Sequence, residues 1–282
     1  MAAERVILVT GCSSGIGRAT ALEASARGHR VFASARNPVD LTDLGRPPGL
    51  STLRIDVTDA GSIRAAVAEI RRLAGRLDAL VNNAGFAQYG AAEEVTAEQW
   101  RAQFDANLFG TIEMTQAALP LMRESGGGTI VMVSSVGGRL VVPFAAPYCA
   151  SKHALEALAD ALRVEVGSFG IRTVVVEPGP IETRFDERAR ERLAPLLSRP
   201  GPYRELYVGA ERAMNGDFQR GKRPAGTVAR VILDAIESRR PRARYRVTPM
   251  AKTLIPLSRL LPSRWIDALM RRSLGIPRPG NR

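Results

Sequence analysis

Short apolar segments alternate with amphipathic helical patterns along the first 180 residues, and this alternation constrains the fold more than any other feature. Six such segments occur: RVILVTG (5–11), RVFASAR (30–36), LRIDVTD (53–59), LDALVNNAG (77–85), GTIVMVSS (128–135) and IRTVVVEPGP (171–180). Strands of this length that are apolar on both faces are typical of a parallel sheet covered by helices on each side. Repeated βα units with right-handed crossovers therefore predict an α/β fold with a doubly wound parallel sheet.

The pattern changes after about residue 183. We expect residues 1–240 to form one domain, in which the helical segment 184–226, interrupted by Pro and Gly, forms a lid. The stretch 227–249 predicts a helix and a last strand, and the residues from 250 onward mix apolar and basic side chains at roughly helical spacing. Residues 241–282 are predicted to form a C-terminal extension. A single α/β domain with an appendage is the organisation expected for a chain of 282 residues.

Composition excludes several other classes of protein. The chain is 45% hydrophobic and 24% charged, as ordinary soluble proteins are, and no apolar run reaches the length of a secretory signal or a membrane span. Cys12 and Cys149 are too few for a disulfide framework or a zinc site, and no group of His, Cys and acidic residues has metal-ligand spacing. We therefore expect a cytoplasmic protein with free thiols and no metal.

The net charge of +12 raises the question of an anionic partner. Nucleic acid is not expected, because the basic residues are scattered, few basic clusters carry aromatic residues for stacking on bases, and no binding motif is present. The excess charge reflects an arginine-rich composition together with a basic C-terminal region. Three placements suit the apolar, basic stretch 250–272: on an anionic membrane surface, against the body of the protein, or against a second subunit.

A glycine-rich turn, VTGCSSGIGRAT, follows the first predicted strand and opens the first predicted helix. A diphosphate can approach the amide groups of a helix N-terminus only where no Cβ blocks it, and Gly11, Gly15 and Gly17 remove that obstacle. Glycine-rich turns are also common for purely structural reasons. The position between strand and helix favours a dinucleotide cofactor.

The end of the second predicted strand distinguishes between the two nicotinamide cofactors. NAD enzymes place an acid there to bind the ribose 2′-hydroxyl, whereas this chain has Ala35 followed by Arg36. Arginine can pair with a 2′-phosphate through two hydrogen bonds, so the sequence favours NADP(H). The alternative is an arginine that simply covers the edge of the sheet.

Tyr148 and Lys152 are four residues apart in a predicted helix, in a chain whose 40 basic residues include only three lysines. Residues at this spacing share a helix face, and a neighbouring ammonium group lowers the pKa of a tyrosine. A tyrosine tuned in this way can exchange a proton with an alcohol oxygen. Such pairs also arise by chance on packed amphipathic helices, so the pair alone does not establish a site.

Other polar residues collect at the same predicted edge of the sheet. Ser134 and Ser135 end one buried strand, Asn82–Gly85 end the preceding strand, and Pro178–Thr183 follow the next. Ligands bind at the carboxyl ends of the strands in open α/β sheets. Packing does not explain why so many polar residues coincide at this edge.

The order and spacing of these motifs resemble those of the short-chain dehydrogenases/reductases over roughly residues 4–240. The matching residues are Thr10, Gly11, Gly15, Ile16, Gly17, Asp56, Val57, Asn82, Asn83, Ala84, Gly85, Asn107, Ser135, Tyr148, Lys152, Pro178 and Gly179. The resemblance implies a Rossmann-type fold, a nicotinamide cofactor, a homodimer or homotetramer, and a catalytic tetrad of Asn107, Ser135, Tyr148 and Lys152.

The resemblance also implies individual roles. Ser135 would hydrogen-bond the substrate oxygen, Tyr148 would transfer the proton, Lys152 would bind the nicotinamide ribose, and Asn107 would hold a water in the proton relay. Asp56 would contact adenine and Thr183 the carboxamide. The full implied set of cofactor-binding residues is Gly11, Ser13, Ser14, Gly15, Ile16, Gly17, Arg36, Asp56, Val57, Asn83, Ala84, Gly85, Tyr148, Lys152, Pro178, Gly179, Ile181 and Thr183.

The lid segment is rich in apolar and aromatic residues, among which Phe185, Tyr207 and Phe218 are the candidate substrate contacts. Apolar clefts with few polar groups select apolar ligands. The run 135–158 is also similar to the hydroxysteroid and retinol dehydrogenase branch, so a bulky hydrophobic alcohol or ketone is the expected substrate. The alternatives are a small or carrier-bound carbonyl of the 3-oxoacyl type, and a catalytically silent NADP(H)-binding regulator.

Overall fold

The computed structural model describes residues 3–44, 47–216 and 221–276, and its centre is a parallel sheet of seven strands. The strands, with a separate two-stranded pair β7 and β8, are β1 (Val6–Val9), β2 (Arg30–Ala35), β3 (Leu50–Arg54), β4 (Ala79–Asn82), β5 (Gly128–Val133), β6 (Ile171–Glu177), β7 (Ile181–Glu182), β8 (Arg223–Pro224) and β9 (Arg244–Arg246). The spatial order is β3-β2-β1-β4-β5-β6-β9. The order reverses between β1 and β4, which confirms the predicted doubly wound α/β fold.

Helices connect the strands and continue into the lid and the C-terminal extension. Their bounds are α1 (Gly15–Ala26), α2 (Ala60–Ala74), α3 (Ala97–Phe104), α4 (Gly110–Glu124), α5 (Ala146–Glu165), α6 (Arg184–Ser198), α7 (Arg204–Asn215), α8 (Ala225–Glu237), α9 (Pro249–Leu260) and α10 (Ser263–Leu274). Helices α6 and α7 occupy the segment predicted to be a lid, and the pair β7–β8 lies at its base.

Each face of the sheet carries its own hydrophobic core because successive strand residues point to opposite sides. Leu8 packs on the side of α2, α4 and α5, whereas Ile7 and Val9 pack on the side of α1 and α8. The buried residues of β4 to β6 alternate in the same way. Because helices cover both faces of the sheet, the strands are apolar along their whole length.

The third and the last strand of the sheet can be compared with the sequence-based expectation, and the third differs from it. Strand β3 is Leu50–Arg54 and ends before Asp56, whose carboxylate accepts hydrogen bonds from the Thr58 amide at 3.0 Å and the Thr58 hydroxyl at 2.8 Å. The acidic part of the segment 53–59 therefore forms a turn rather than a strand. Strand β9 is the last strand that the sequence predicted within residues 227–249; it lies beyond residue 240 and pairs with β6 at Val175–Glu177.

Candidate active site

The turn between β1 and α1 brings backbone segments too close together for side chains larger than hydrogen. A Cβ on Gly17 would lie 2.4 Å from the Gly11 carbonyl oxygen and 2.5 Å from Asn83 Nδ2, and Gly11 itself has φ of +73°. Ser14 is the N-cap of α1 but caps no amide with its side chain within the described structure. The amide groups of the first turn therefore face outward beside a Cβ-free cradle, which suits a diphosphate group.

Asn83 joins this turn to the end of β4. Its Nδ2 donates to the Thr10 carbonyl at 2.9 Å and to the Gly11 carbonyl at 3.2 Å. The Thr10 hydroxyl accepts from the Asn83 and Ala84 amides, each at 3.0 Å. The side chain of Asn83 thus fixes the glycine loop, a positioning role that the sequence did not reveal.

The predicted cofactor-binding residues all lie at one edge of the sheet. They occupy the segments after β1 (Gly11, Ser13, Ser14, Gly15, Ile16, Gly17), after β2 (Arg36), after β3 (Asp56, Val57), after β4 (Asn83, Ala84, Gly85), on α5 (Tyr148, Lys152) and after β6 (Pro178, Gly179, Ile181, Thr183). Thr183 caps α6, and its Cγ2 lies 2.9 Å from where a Cβ on Gly15 would be. The chain after β6 therefore crosses over the glycine loop.

The ends of β2 and β3 form a positively charged corner at this edge. Ala35 is buried, and Arg36, next to it, is exposed. Partial burial raises the pKa of Asp56, but the hydrogen bonds from Thr58 and the charges of Arg36 and Arg54 outweigh it, so the pKa lies below its ordinary value. Arg36 is thus close enough to Asp56 to act on its ionisation.

Ser135 follows β5 and begins a short 3₁₀ turn, Val136–Gly138. Its Oγ accepts a hydrogen bond from the Gly137 amide at 3.0 Å. Because this lone pair is occupied by a donor, the hydroxyl hydrogen is available for another acceptor. Ser134, by contrast, is buried beneath the loop.

Tyr148 and Lys152 lie in the first two turns of α5, as their spacing predicted. Lys152 Nζ is 6.0 Å from the centre of the Tyr148 ring and donates to the Val133 carbonyl at 2.8 Å. Burial lowers the pKa of Lys152 to about 8, and the Glu156 carboxylate opposes this shift. The lysine therefore remains mostly charged at neutral pH and lies where it favours the phenolate form of Tyr148.

Asn107 lies in a π-helical turn, Asp105–Phe109, between α3 and α4. Its Oδ1 accepts from the Phe86 amide, and its Nδ2 donates to the Phe86 carbonyl, both at 3.0 Å. The Ser151 hydroxyl lies 3.3 Å from the same Nδ2. The side chain is thus engaged by protein groups, and π-helical turns often occur at functional sites.

Behind Lys152 lie two buried carboxylates that share two arginines. Arg139 binds Glu156 at 2.8 Å and Glu177 at 3.1 Å, and Arg244 of β9 binds Glu156 at 3.2 Å. Burial raises the pKa of Glu156 and the charge of Glu177 adds to the shift, while the arginines oppose both. Sequence reasoning missed this cluster, although the four-residue spacing from Lys152 to Glu156 was a signal.

The lid residues have different positions relative to this edge. The Phe185 ring centre lies 5.7 Å from that of Tyr148. Tyr207 is 1% exposed, and its hydroxyl donates to Glu94 at 2.6 Å and accepts from the Ala91 amide at 2.8 Å. That placement differs from the predicted substrate contact, because the ring and hydroxyl anchor the lid to the body. Phe218 lies outside the described residues.

Phe144, just before α5, carries a feature that the sequence did not indicate. Its φ is +67°, a left-handed conformation that is unusual for a bulky residue. Its carbonyl accepts from the Gly90 amide at 2.8 Å, and its ring packs 5.3 Å from that of Tyr207. Such strained residues cluster where loops shape a site.

The sheet order, the Cβ-free cradle and the tyrosine–lysine pair at one edge define the class of nicotinamide-dependent oxidoreductases. A model of the family described as short chain dehydrogenase matches residues 5–194. The chain belongs to the short-chain dehydrogenase/reductase family and acts on CH–OH or C=O groups with a nicotinamide dinucleotide.

Related proteins match the chain along nearly its whole length. The NADPH-dependent 3-dehydrocapnine reductase of Ornithobacterium rhinotracheale is 34% identical, with 96% of this chain and 97% of that protein covered. Human 17-beta-hydroxysteroid dehydrogenase type 1 is 34% identical, with coverages of 92% and 81%. The crystal structure of a short-chain dehydrogenase from Streptomyces avermitilis has 32% identity and a TM-score of 0.81, with coverages of 97% and 98%.

Proposed function

We propose that this protein is an NADP(H)-dependent oxidoreductase for a bulky hydrophobic alcohol or ketone, of the steroid, retinoid or fatty type. The observation that carries the substrate class is the aromatic ring of Phe185 beside Tyr148, at 5.7 Å between ring centres. An apolar wall beside the reacting oxygen favours an apolar substrate. The hydroxysteroid activity in the name of the human relative supports the same class.

The preference for NADP(H) rests on the corner after β2. Ala35 places no carboxylate there, and Arg36 is exposed and close to the cofactor edge. A 2′-phosphate would gain a charge-assisted hydrogen bond from the guanidinium group. The NADPH dependence in the name of the Ornithobacterium relative supports this assignment.

In the proposed reaction, the nicotinamide ring supplies a hydride to the substrate carbon, or accepts one from it. In the direction of reduction, the Ser135 hydroxyl donates to the substrate oxygen, while one lone pair of its oxygen accepts from the Gly137 amide at 3.0 Å. Tyr148 donates its phenolic proton to that oxygen and becomes a phenolate. The ammonium group of Lys152 stabilises the negative charge that results.

Asn107 has a positioning role in this scheme. Its amide holds the backbone of Phe86, and hence the loop after β4, against the start of α4. The same loop follows Asn83, Ala84 and Gly85, which are proposed to bind the cofactor. We also propose that Asn107 holds a water molecule in the proton relay, as the family resemblance implies. A cytoplasmic homodimer or homotetramer is the proposed form of the enzyme.

A substrate screen tests the proposal. Purified protein is mixed with NADPH or NADH and a panel of ketosteroids, retinal, fatty aldehydes, small polar ketones and acetoacetyl thioesters, and nucleotide oxidation is followed. We expect NADPH oxidation with at least one bulky apolar carbonyl. Turnover confined to small or thioester carbonyls would support the 3-oxoacyl alternative, and cofactor binding without turnover of any carbonyl or alcohol would support the regulator.

A further inference from the structure

The C-terminal helices α9 and α10 form a hairpin whose outer face is both apolar and basic. Leu260 is 81% exposed, Trp265 60%, Leu257 43% and Leu269 41%. Scattered exposed apolar residues are normal, but these four lie within thirteen residues on two adjacent helices. We call them, with the basic residues described below, the hairpin face.

An apolar groove runs between the two helices. It is lined by Leu254, Leu257, Ser258, Ile266, Leu269 and Met270 of the two helices, and by Leu140. Leu140 lies five residues after Ser135, in the loop that leads to α5. Leu140 therefore brings the loop that follows Ser135 into contact with the groove.

The charges of the hairpin are almost all positive. Residues 249–276 contain five basic side chains and one acid, Asp267; the basic residues are Lys252, Arg259, Arg264, Arg271 and Arg272. Helical spacing places Lys252 and Arg259 roughly 80–100° around α9 from Leu260, at the edge of the apolar surface, and Arg272 on the same side of α10 as Trp265. Long basic side chains can extend from such positions to an anionic layer while their stems cover apolar surface.

The hairpin is attached to the body at both ends. Thr248 caps α9, and a Cβ on Gly179 would lie 2.3 Å from its Oγ1. At the other end, a Cβ on Gly209 in α7 would lie 2.6 Å from the Leu274 carbonyl oxygen. The hairpin face is thus held beside the proposed lid and the loop after β6 and does not belong to a detached tail.

No helix within residues 3–44, 47–216 and 221–276 has the length and apolar character needed to cross a bilayer. An amphipathic surface that carries tryptophan and leucine among arginines is instead suited to the interface between lipid headgroups and acyl chains. Basic residues near an anionic membrane add electrostatic attraction. We propose that the hairpin face docks the enzyme on an anionic lipid bilayer.

This proposal goes beyond the redox reaction and does not depend on the identity of its substrate. If the proposed hydrophobic substrate class is also right, docking would hold the enzyme beside the lipid phase in which such a substrate dissolves. The two ideas fail separately, because vesicle binding can be measured without turnover and turnover can be measured without vesicles.

Vesicle sedimentation with the full chain tests the docking. Vesicles of pure phosphatidylcholine are compared with vesicles containing 30 mol% phosphatidylserine, at low and at physiological salt. We expect sedimentation with the anionic vesicles, weakened by salt. We also expect the fluorescence of Trp265 to shift to the blue, measured in a Trp100→Phe background so that only one tryptophan reports.

Two pairs of substitutions test whether vesicle binding depends on the hairpin face or on general attraction between the vesicles and the net charge of +12 of the protein. Leu260→Glu with Trp265→Glu removes the apolar contacts, and Arg264→Glu with Arg272→Glu reverses the local charge. Each pair should reduce the partition coefficient on the order of tenfold or more. Val39→Glu with Arg64→Glu makes one change of each kind, apolar to acidic and basic to acidic, at exposed sites outside the hairpin and should have a small effect.

Three results would overturn the proposal. The first is a full chain that stays in the supernatant with anionic vesicles at low salt. The second is equal loss of binding in the hairpin variants and the matched control, because the attraction would then come from overall charge. The third is a change of molar mass in solution caused by Leu260→Glu with Trp265→Glu, without a change in vesicle binding, which would identify the face as a subunit contact. Melting curves confirm that each variant is folded.

Discussion

The side-chain amide of Asn107 pairs with both backbone groups of Phe86: Oδ1 accepts from the amide and Nδ2 donates to the carbonyl, each at 3.0 Å. This reciprocal pair fixes the loop after β4 to the π-helical turn. Asn107→Asp keeps the size of the side chain but sets a carboxylate oxygen against the Phe86 carbonyl. We expect a loss of about 1–3 kcal/mol in the free energy of unfolding, because a buried donor is replaced by an acceptor. Denaturant unfolding measures it.

The control for Asn107 is Asn37→Asp, since the side-chain oxygen of Asn37 accepts from the Val39 amide at 3.3 Å and a carboxylate can keep that bond. That substitution should leave the unfolding free energy nearly unchanged. If Asn107→Asp unfolds at the same denaturant concentration as the unmodified protein, the positioning role of Asn107 is contradicted.

The cofactor preference should depend on two adjacent residues. Arg36→Ala should weaken NADPH binding about tenfold or more, the worth of one charge-assisted hydrogen bond, with little effect on NADH. Ala35→Asp should reverse the preference because a carboxylate repels the 2′-phosphate. Fluorescence titration with both nucleotides measures the dissociation constants, with Arg64→Ala as the exposed-arginine control. Tighter binding of NADH by the unmodified protein would refute the assignment.

Tyr148→Phe should abolish turnover while nucleotide binding stays nearly intact, because only the proton donor is lost. Lys152→Arg should also be inactive, since the Lys152 pocket is buried and holds a short hydrogen bond to Val133 at 2.8 Å that a planar guanidinium cannot reproduce. Lys252→Arg, an exposed change of the same kind, should keep full activity. Steady-state kinetics and nucleotide titration separate the two effects, and substantial activity of Tyr148→Phe would place the proton transfer elsewhere.

The pH dependence of kcat/KM should depend on the carboxylate of Glu156, which lies behind Lys152. Burial lowers the pKa of Lys152 to about 8, and the Glu156 carboxylate works against that shift. In Glu156→Gln the pKa of Lys152 should fall further, so the lysine loses its proton at a lower pH. Activity that needs the charged lysine should then decline earlier, which moves the alkaline limb of the kcat/KM profile toward lower pH.

The control for this profile is Glu165→Gln, at the end of the same helix and exposed, which should leave the limb in place. A parallel loss of kcat/KM at every pH in Glu156→Gln, with no shift of the limb, would mean that Glu156 acts only through folding.

The lid should discriminate between substrates through Phe185. Phe185→Ala should raise KM for a bulky apolar substrate about tenfold, since burial of an aromatic ring is worth roughly 1–3 kcal/mol, and should change KM for a small polar carbonyl little. Tyr207→Phe keeps the ring but removes the hydroxyl that bonds Glu94 and the Ala91 amide. It should lower the melting temperature and leave the substrate selectivity unchanged. Equal effects of Phe185→Ala on both substrate classes would favour the small-carbonyl alternative.

Much of this architecture follows from local features of the sequence. The apolar segments, the glycine turn before α1 and the four-residue spacing from Tyr148 to Lys152 are each short-range patterns, and each forms the element that it predicted. Even Ala35 and Arg36 are placed correctly, because a parallel strand ends where its apolar run ends.

Other features depend on which elements become neighbours, and no local pattern specifies that. Strand β9 lies beside β6, and only this pairing brings Arg244 to Glu156 and completes the charge cluster behind Lys152. Tyr207 looked like a substrate contact because aromatic residues suit both pockets and cores, and the loop carrying Glu94 and Ala91 decides between the two uses. Periodicity and turn chemistry act within about a dozen residues of chain, whereas burial and ion pairing are set by contacts between segments about a hundred residues apart, which only the tertiary structure determines.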